Sequence, residues 1–61
     1  MSWKFVFDAT RFKGGTLEEA VGTAMKYFYD FVLFNDLVYF VVGNSRNKTY
    51  FLTSLQRKDL I

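Results

Sequence analysis

The chain has 61 residues, enough for one domain with a small core. It contains neither cysteine nor histidine, which excludes disulfide bonds, thiolate metal sites and ordinary zinc coordination. The formal net charge of +2 is too small to indicate a polyanionic partner. No stretch reaches the roughly 20 apolar residues of a membrane-spanning helix. We therefore expect one domain over residues 1–61, cytoplasmic and not associated with a membrane.

The apolar content is high for such a short chain. Hydrophobic residues make up 51% of the sequence and aromatic residues 21%. A small core cannot bury this much apolar surface, and Tyr and Trp are frequent at interfaces. The composition therefore predicts self-association, most simply as a homodimer.

The first predicted element is a strand from Trp3 to Phe12, because apolar and polar residues alternate there with the period of two that places one row on one face. The glycine pair at 14–15 ends it. Thr16 is a good N-cap, and Glu19 stands at the capping-box spacing three residues later. A helix is therefore predicted to begin at this threonine.

The end of this helix has two interpretations. Apolar residues recur at helical spacing at positions 17, 21, 24, 28 and 31, which favours a helix that continues to Phe34 and ends at Asn35. The last two turns of such a helix are apolar on nearly every side and would need a second chain to cover them. In the alternative interpretation the helix ends earlier, Phe31–Phe34 is a strand, and Asn35-Asp36 is a tight turn.

Two further strands complete the prediction. Leu37–Val42 is an unbroken apolar run, typical of a strand covered on both faces. Residues 43–47 have turn composition, Lys48–Leu55 alternates again, and residues 56–59 are a charged tail expected to be solvated. The favoured fold is an α+β domain of order β-α-β-β, with one helix on a three-stranded sheet. The second face of that sheet would be covered by another subunit.

The sequence contains no recognisable catalytic motif. Histidine is absent, and the carboxylates have no spacing that joins two of them with a nucleophile. Glu18 and Glu19 are explained by their place in the first helical turn, where negative charge complements the helix dipole. We therefore expect no enzymatic activity, no cofactor, no metal and no small-molecule substrate.

Two sets of residues are candidates for contacts with other molecules. The self-association set contains apolar and aromatic residues outside the main helical stripe: Tyr27, Tyr29, Leu33, Phe34 and Tyr39. The partner-binding set contains the basic and aromatic residues of the last hairpin and tail: Arg46, Lys48, Tyr50, Arg57 and Lys58.

The main functional expectation is a small protein-interaction module, a regulator or inhibitor that binds another protein. The alternative is a nucleic-acid-binding protein, because basic residues interleaved with aromatic ones on a sheet are typical of single-strand binders. The basic residues have a second explanation as well, since Lys and Arg keep an edge strand soluble.

The run GTLEEAV at residues 15–21 is similar to the strand-to-helix junction of small α+β regulators, HicB-type antitoxins among them. Those proteins have more strands before the helix than the single strand predicted for this chain. The similar run covers about a tenth of the sequence and follows capping rules common to many helices. The similarity carries no function over to this chain and assigns no family.

Overall fold

The computed structural model describes residues 6–12, 15–44 and 46–60. The elements in chain order are β1 (Val6–Asp8), a 3₁₀ turn (Ala9–Arg11), α1 (Leu17–Lys26), β2 (Phe31–Phe34), β3 (Leu37–Gly43), β4 (Lys48–Gln56) and a second 3₁₀ turn (Arg57–Leu60). The α+β class is confirmed. Within the described ranges no helix is long and apolar enough to cross a membrane.

The four strands form one mixed sheet in the order β1-β2-β3-β4. β1 and β2 are parallel, and the two following pairs are antiparallel. Parallel neighbours need a crossover connection, which α1 supplies by packing across the sheet. The predicted three-stranded sheet is therefore wrong, because the described residues form four strands.

The additional strand is β2, which lies where the favoured prediction continued the helix. Phe31 pairs with Val6 on one side and with Phe40 on the other, so β2 has strand neighbours at both edges. Val32 is fully buried on one face and Leu33 is 4% exposed on the other. Residues 31–34 are thus apolar at every position because they form a central strand of the sheet. The longer helix to Phe34 is wrong, and the alternative with an earlier helix end is confirmed.

Local hydrogen bonds explain why the helix stops at Lys26. The Phe28 N–H donates to the carbonyl of Met25 (3.2 Å), and the Tyr29 N–H donates to the carbonyl of Ala24 (2.8 Å). This pair of bonds is the Schellman motif, which closes a helix with one residue in the left-handed region. That residue is Phe28, with φ of 63°.

The turn between β2 and β3 is the tight turn of the alternative prediction. Asn35 and Asp36 have φ of 50° and 64°. Positive φ at both central residues is the mark of a type I′ turn, whose twist matches that of a β-hairpin. Asn and Asp tolerate this conformation better than most residues, so the pair fixes the β2–β3 register.

The helix begins as predicted. The Thr16 hydroxyl accepts from the Glu19 N–H (3.1 Å) and donates to the Glu19 carboxylate (3.0 Å). The prediction of a strand as far as Phe12 is wrong after Asp8, whose carboxylate accepts from the Thr10 N–H (2.9 Å) and turns the chain into the first 3₁₀ turn. The predicted strand positions 3–5 lie outside the described residues.

The main core lies between the helix and the sheet. Its fully or largely buried members are Ala9, Ala20, Val21, Ala24, Val32 and Val41. The helix contributes two alanines and one valine, so it approaches the sheet closely. On the other face of the sheet, Leu33 and Val38 are buried as well.

In the C-terminal tail Gln56, Lys58 and Asp59 are exposed, as predicted, whereas Arg57 is half-buried and holds the tail against the protein. The Arg57 N–H donates to the Asp36 carbonyl (3.0 Å), and Arg57 Nε donates to Asp36 Oδ1 (2.8 Å). The same guanidinium lies 3.7 Å from Asp8 Oδ1. Arg57 therefore connects the tail, the β2–β3 turn and the end of β1.

Gly43 and Gly15 form a matched pair for a stability test. Both have positive φ, 115° and 85°. A Cβ at Gly43 would overlap the carbonyl oxygen of Asn47, whereas no described atom lies within 4 Å of a Cβ at Gly15. We expect Gly15→Ala to lower the free energy of unfolding by about 1 kcal/mol, from backbone strain alone. Gly43→Ala should lower the free energy of unfolding by about 1–3 kcal/mol more than Gly15→Ala does. Equal losses in urea unfolding would contradict this packing.

The bonds to Asp8 predict a dependence of stability on pH. The Thr10 hydroxyl, which donates to the carboxylate (2.7 Å), is the main cause that lowers the pKa of Asp8 from its ordinary value of 3.8. The Thr10 N–H, Arg57 and Arg11 lower this pKa further, and burial opposes them.

A lowered pKa stabilises the fold above the unfolded value, and this stability is lost as the pH falls through the folded value. Asp8→Asn should therefore be less stable than the wild type at pH 6, and the difference should shrink below pH about 4. The measurement is urea unfolding from pH 6 to pH 2. A difference that stays constant over this range would show that Asp8 acts only by packing.

Candidate functional site

The sheet has one face under the helix and one face without it. Val41 belongs to the core beneath α1, and because side chains alternate along a strand, Phe40 and Val42 point to the opposite face. The strand registers place Phe40 between Phe31 on β2 and Phe51 on β4. The rings of Phe31 and Phe40 are 5.3 Å apart. An aromatic row thus crosses the helix-free face.

This row is exposed toward the β4 side. Phe40 is 40% exposed, Val42 42% and Phe51 55%. Phe31, farther inside the sheet, is half-buried. We call these four residues the aromatic face. Large exposed apolar residues that share one surface, as these do, are typical of contact sites with other proteins.

The predicted self-association residues do not form one surface. Tyr27 is 61% exposed, whereas Leu33 is buried. Tyr29 and Phe34 are half-buried and pack against the core cluster. Tyr39 is half-buried on the helix side of the sheet, with its ring 6.3 Å from that of Tyr50. Most of this set therefore stabilises the chain's own fold.

The predicted partner-binding residues are also separated. Lys48 lies on the helix side of the sheet, with Nζ 4.0 Å from Glu18 Oε1. Arg57 contacts Asp8 and Asp36, which balance its charge. Tyr50 is 41% exposed and lies on the helix side with Lys48.

The other two members of this set are exposed. Arg46 lies in the β3–β4 turn, and Lys58 lies in the C-terminal 3₁₀ turn. The turn is shaped by Asn44, whose side-chain oxygen accepts from the N–H groups of Arg46 and Asn47 (2.8 Å each). Because the four basic residues lie at different places, they do not form one basic patch.

Several exposed residues were absent from both predicted sets. Phe40, Phe51 and Leu52 are 40%, 55% and 61% exposed. Their alternation along the strands was visible in the sequence, but which face the helix covers was not. Phe28 is 84% exposed although it fits the apolar helical stripe, because the helix ends two residues before it.

Two of the clefts on the described surface are open to solvent. One, of about 340 Å³, is lined by Met25, Lys26, Phe28, Gly43 and Asn44. The other, of about 300 Å³, is lined by Asp36, Gln56, Arg57 and Lys58. Within the described part of the chain, no three His, Cys, Asp or Glu side chains are grouped so that they could hold a metal ion.

Comparisons with known proteins identify no relative: no protein-family model matches this sequence, and no curated protein or solved structure matches it significantly. The similarity of residues 15–21 to a junction in HicB-type antitoxins therefore gains no support.

Phe28 offers a test of whether an exposed aromatic residue is kept at the expense of stability. It occupies the left-handed position of the Schellman motif, which glycine fills without strain, and its ring is 84% exposed. Phe28→Gly should raise the free energy of unfolding by about 1 kcal/mol. Tyr27→Gly is the control, because Tyr27 has φ of −107° and should gain nothing. Thermal unfolding of both variants is the measurement, and a loss of stability in Phe28→Gly would show that the ring contributes to the fold.

Proposed function

We propose that this chain is a small non-enzymatic interaction module, a regulator or inhibitor that binds another protein through its aromatic face and acts as a homodimer. The observation that supports this proposal best is the cross-strand row Phe31–Phe40–Phe51 on the helix-free face, in which Phe40 and Phe51 are exposed. Phenylalanine is enriched at protein interfaces, and burial of such residues against a partner is strongly favourable.

The chemistry of this face indicates the kind of partner. Phe40, Val42 and Phe51 are apolar, and Thr49 is the polar neighbour of Val42 across the β3–β4 ladder. A surface of this kind is complementary to an apolar patch on a folded protein. None of these four side chains is charged, which supports an apolar protein surface rather than a small polar ligand as the partner.

The non-enzymatic part of the proposal is supported by the clefts. Their volumes of about 300 and 340 Å³ lie at the lower end of the range of about 300–1,000 Å³ for ligand pockets. Both are open to solvent, and neither is lined by the aromatic face residues.

The nucleic-acid alternative has less support than the protein-binding proposal. Single-strand binders place basic side chains beside the stacking aromatic rings. Here Lys48 lies on the opposite face of the sheet from Phe40 and Phe51. Arg57 is paired with two carboxylates, so phosphate would have to displace them.

The test is affinity capture from nuclease-treated lysate with the tagged chain and two variants. Phe40→Lys places a charge in the aromatic face and should abolish recovery of the partner. Tyr27→Lys changes a residue of greater exposure outside that face, and recovery should equal that of the wild type. Circular dichroism checks that each variant folds, and Phe40→Thr replaces Phe40→Lys if the latter does not. Equal recovery by the Phe40 variant, or loss of all partners after nuclease treatment, would refute the proposal.

A further inference from the structure

The strand β4 forms one edge of the sheet, and its outward backbone groups can be identified. The Val41 N–H donates to the carbonyl of Asp30, on the β2 side of β3 (2.7 Å), and the Asn44 N–H donates to the carbonyl of Asn47, on the β4 side (3.4 Å). Because backbone groups alternate in direction, the odd-numbered residues of β4 bond to β3 as far as Leu52, beyond which the β3–β4 register is irregular. The N–H and C=O groups of its even-numbered residues therefore point away from the sheet. In the regular part of the ladder these residues are Lys48, Tyr50 and Leu52.

One end of this edge is already occupied. The Gln56 N–H donates to the Asp59 carboxylate (2.7 Å), so the second 3₁₀ turn closes the edge at Gln56. The segment left for pairing with another strand runs over residues 48–54. Its central residue is Phe51.

Residues 49–54 lack the usual protection of an exposed edge. Soluble proteins commonly place charges or proline on edge strands, or keep such strands short. β4 has nine residues, and from Thr49 to Ser54 it is uncharged and contains no proline. Lys48 is the one charged residue of the strand, and its ammonium group lies over the helix, near Glu18. An edge of this kind is suited to pairing with another strand.

We propose that β4 pairs antiparallel with β4 of a second copy of this chain, in the register that places Phe51 opposite the partner's Phe51. This inference rests on the homodimer of the proposed function and gives it a geometry. The two-fold axis passes between the two phenylalanines, perpendicular to the sheet. Residues 48–54 then pair with the same residues of the second copy, and the bond from Gln56 to Asp59 stays intact.

The side chains are complementary in this register. Tyr50 lies opposite the partner's Leu52, and Thr49 lies opposite the partner's Thr53. Aromatic–aromatic, aromatic–aliphatic and Thr–Thr pairs are favourable across antiparallel strands. The central pair is of the type without direct hydrogen bonds, in which the side chains approach most closely. A shift by two residues in one direction would place Phe51 opposite the partner's Thr53 and would require the Gln56 N–H, which already donates to Asp59. A shift in the other direction would place Phe51 opposite the partner's Thr49 and would lose the central aromatic pair.

The pairing completes the aromatic face. A two-fold axis perpendicular to the sheet keeps equivalent faces on the same side, so the two four-stranded sheets become one sheet of eight strands with both helices on one side. The row Phe31–Phe40–Phe51 then continues through the partner's Phe51 and the partner's Phe40. The dimer therefore presents a continuous aromatic row, and a single chain contains one half of it.

Cysteine scanning tests this register, because the chain has no cysteine of its own. Opposed residues without direct hydrogen bonds have Cα atoms about 4.5 Å apart, within the range a disulfide spans. Under mild oxidation at micromolar concentration, Phe51→Cys should form a cross-linked dimer on the order of 100-fold faster than Phe40→Cys, since the dimer holds the two thiols at high effective concentration. Equal rates for the two variants would overturn the proposal.

Charge swapping provides a second test, which does not depend on oxidation. In sedimentation equilibrium the wild type should show twice the chain mass of 7.2 kDa. Phe51→Lys and Phe51→Glu should each be monomeric, and their mixture should restore the dimer because each residue faces its own counterpart. Phe40→Lys, one strand away, should remain dimeric. A monomeric wild type, or a mixture that stays monomeric, would overturn the proposal.

These results are separable from the proposed function. A cross-linked Phe51→Cys dimer that recovers no protein partner would contradict the proposed function and leave the strand pairing supported. A monomeric wild type that still recovers a partner, lost in Phe40→Lys, would support the aromatic face as a binding site and refute the strand pairing.

Discussion

The position of β2 at the centre of the sheet is the constraint on which the rest of the structure depends. Phe31, Val32 and Leu33 pair with β1 on one side and with β3 on the other, and Val32 and Leu33 are buried on opposite faces. In a central strand the backbone N–H and C=O groups pair with neighbouring strands on both sides, whereas an edge strand leaves the groups of one side unpaired. Once β2 is central, β1 must pair parallel with it, and the helix must be short enough to cross back.

The short helix determines what the fold leaves exposed. Ten residues of α-helix extend for about 15 Å, whereas the nine residues of β4 extend for about 30 Å. The helix therefore covers only part of its own side of the sheet, where Tyr50 and Leu52 are 41% and 61% exposed. The helix buries Val32 and Val41 on its own side of the sheet. The outer residues of β3 and β4 on the other side, Phe40 and Phe51, remain exposed. The proposed surface thus lies on the face of the sheet that the single helix does not cover.

The electrostatic contacts of Arg57 join segments of this chain to one another and so stabilise its own fold. Arg57 bonds to Asp36 and lies near Asp8, which ties the C-terminal turn to the β2–β3 turn and to β1. Exposed ion pairs contribute little stability each, but this one joins segments far apart in sequence. A basic residue with two acidic neighbours has little net charge to offer a phosphate. The interactions available at the surface are mainly apolar contacts and backbone pairing.

Local signals in the sequence determined the α+β class, the helix start and the two C-terminal strands. Thr16 with Glu19 identifies an N-terminus because the bonds that cap the helix form between residues three apart in the chain. The alternation in residues 48–55 identifies a strand for the same local reason. The exposed residues Phe40 and Phe51 lay within predicted strands, but their face could not be assigned, since that depends on where the helix packs.

Only the tertiary structure decided the identity of residues 31–34. Their spacing fits a helix and a strand equally well, and the choice depends on pairing with Val6 and Phe40, residues distant in sequence. The same holds for the tail, because the bond from Arg57 to Asp36 exists only after the β2–β3 turn has formed. Contacts between neighbours are encoded in local pattern, whereas a central strand and the faces beside it are defined by partners that only the folded chain brings together.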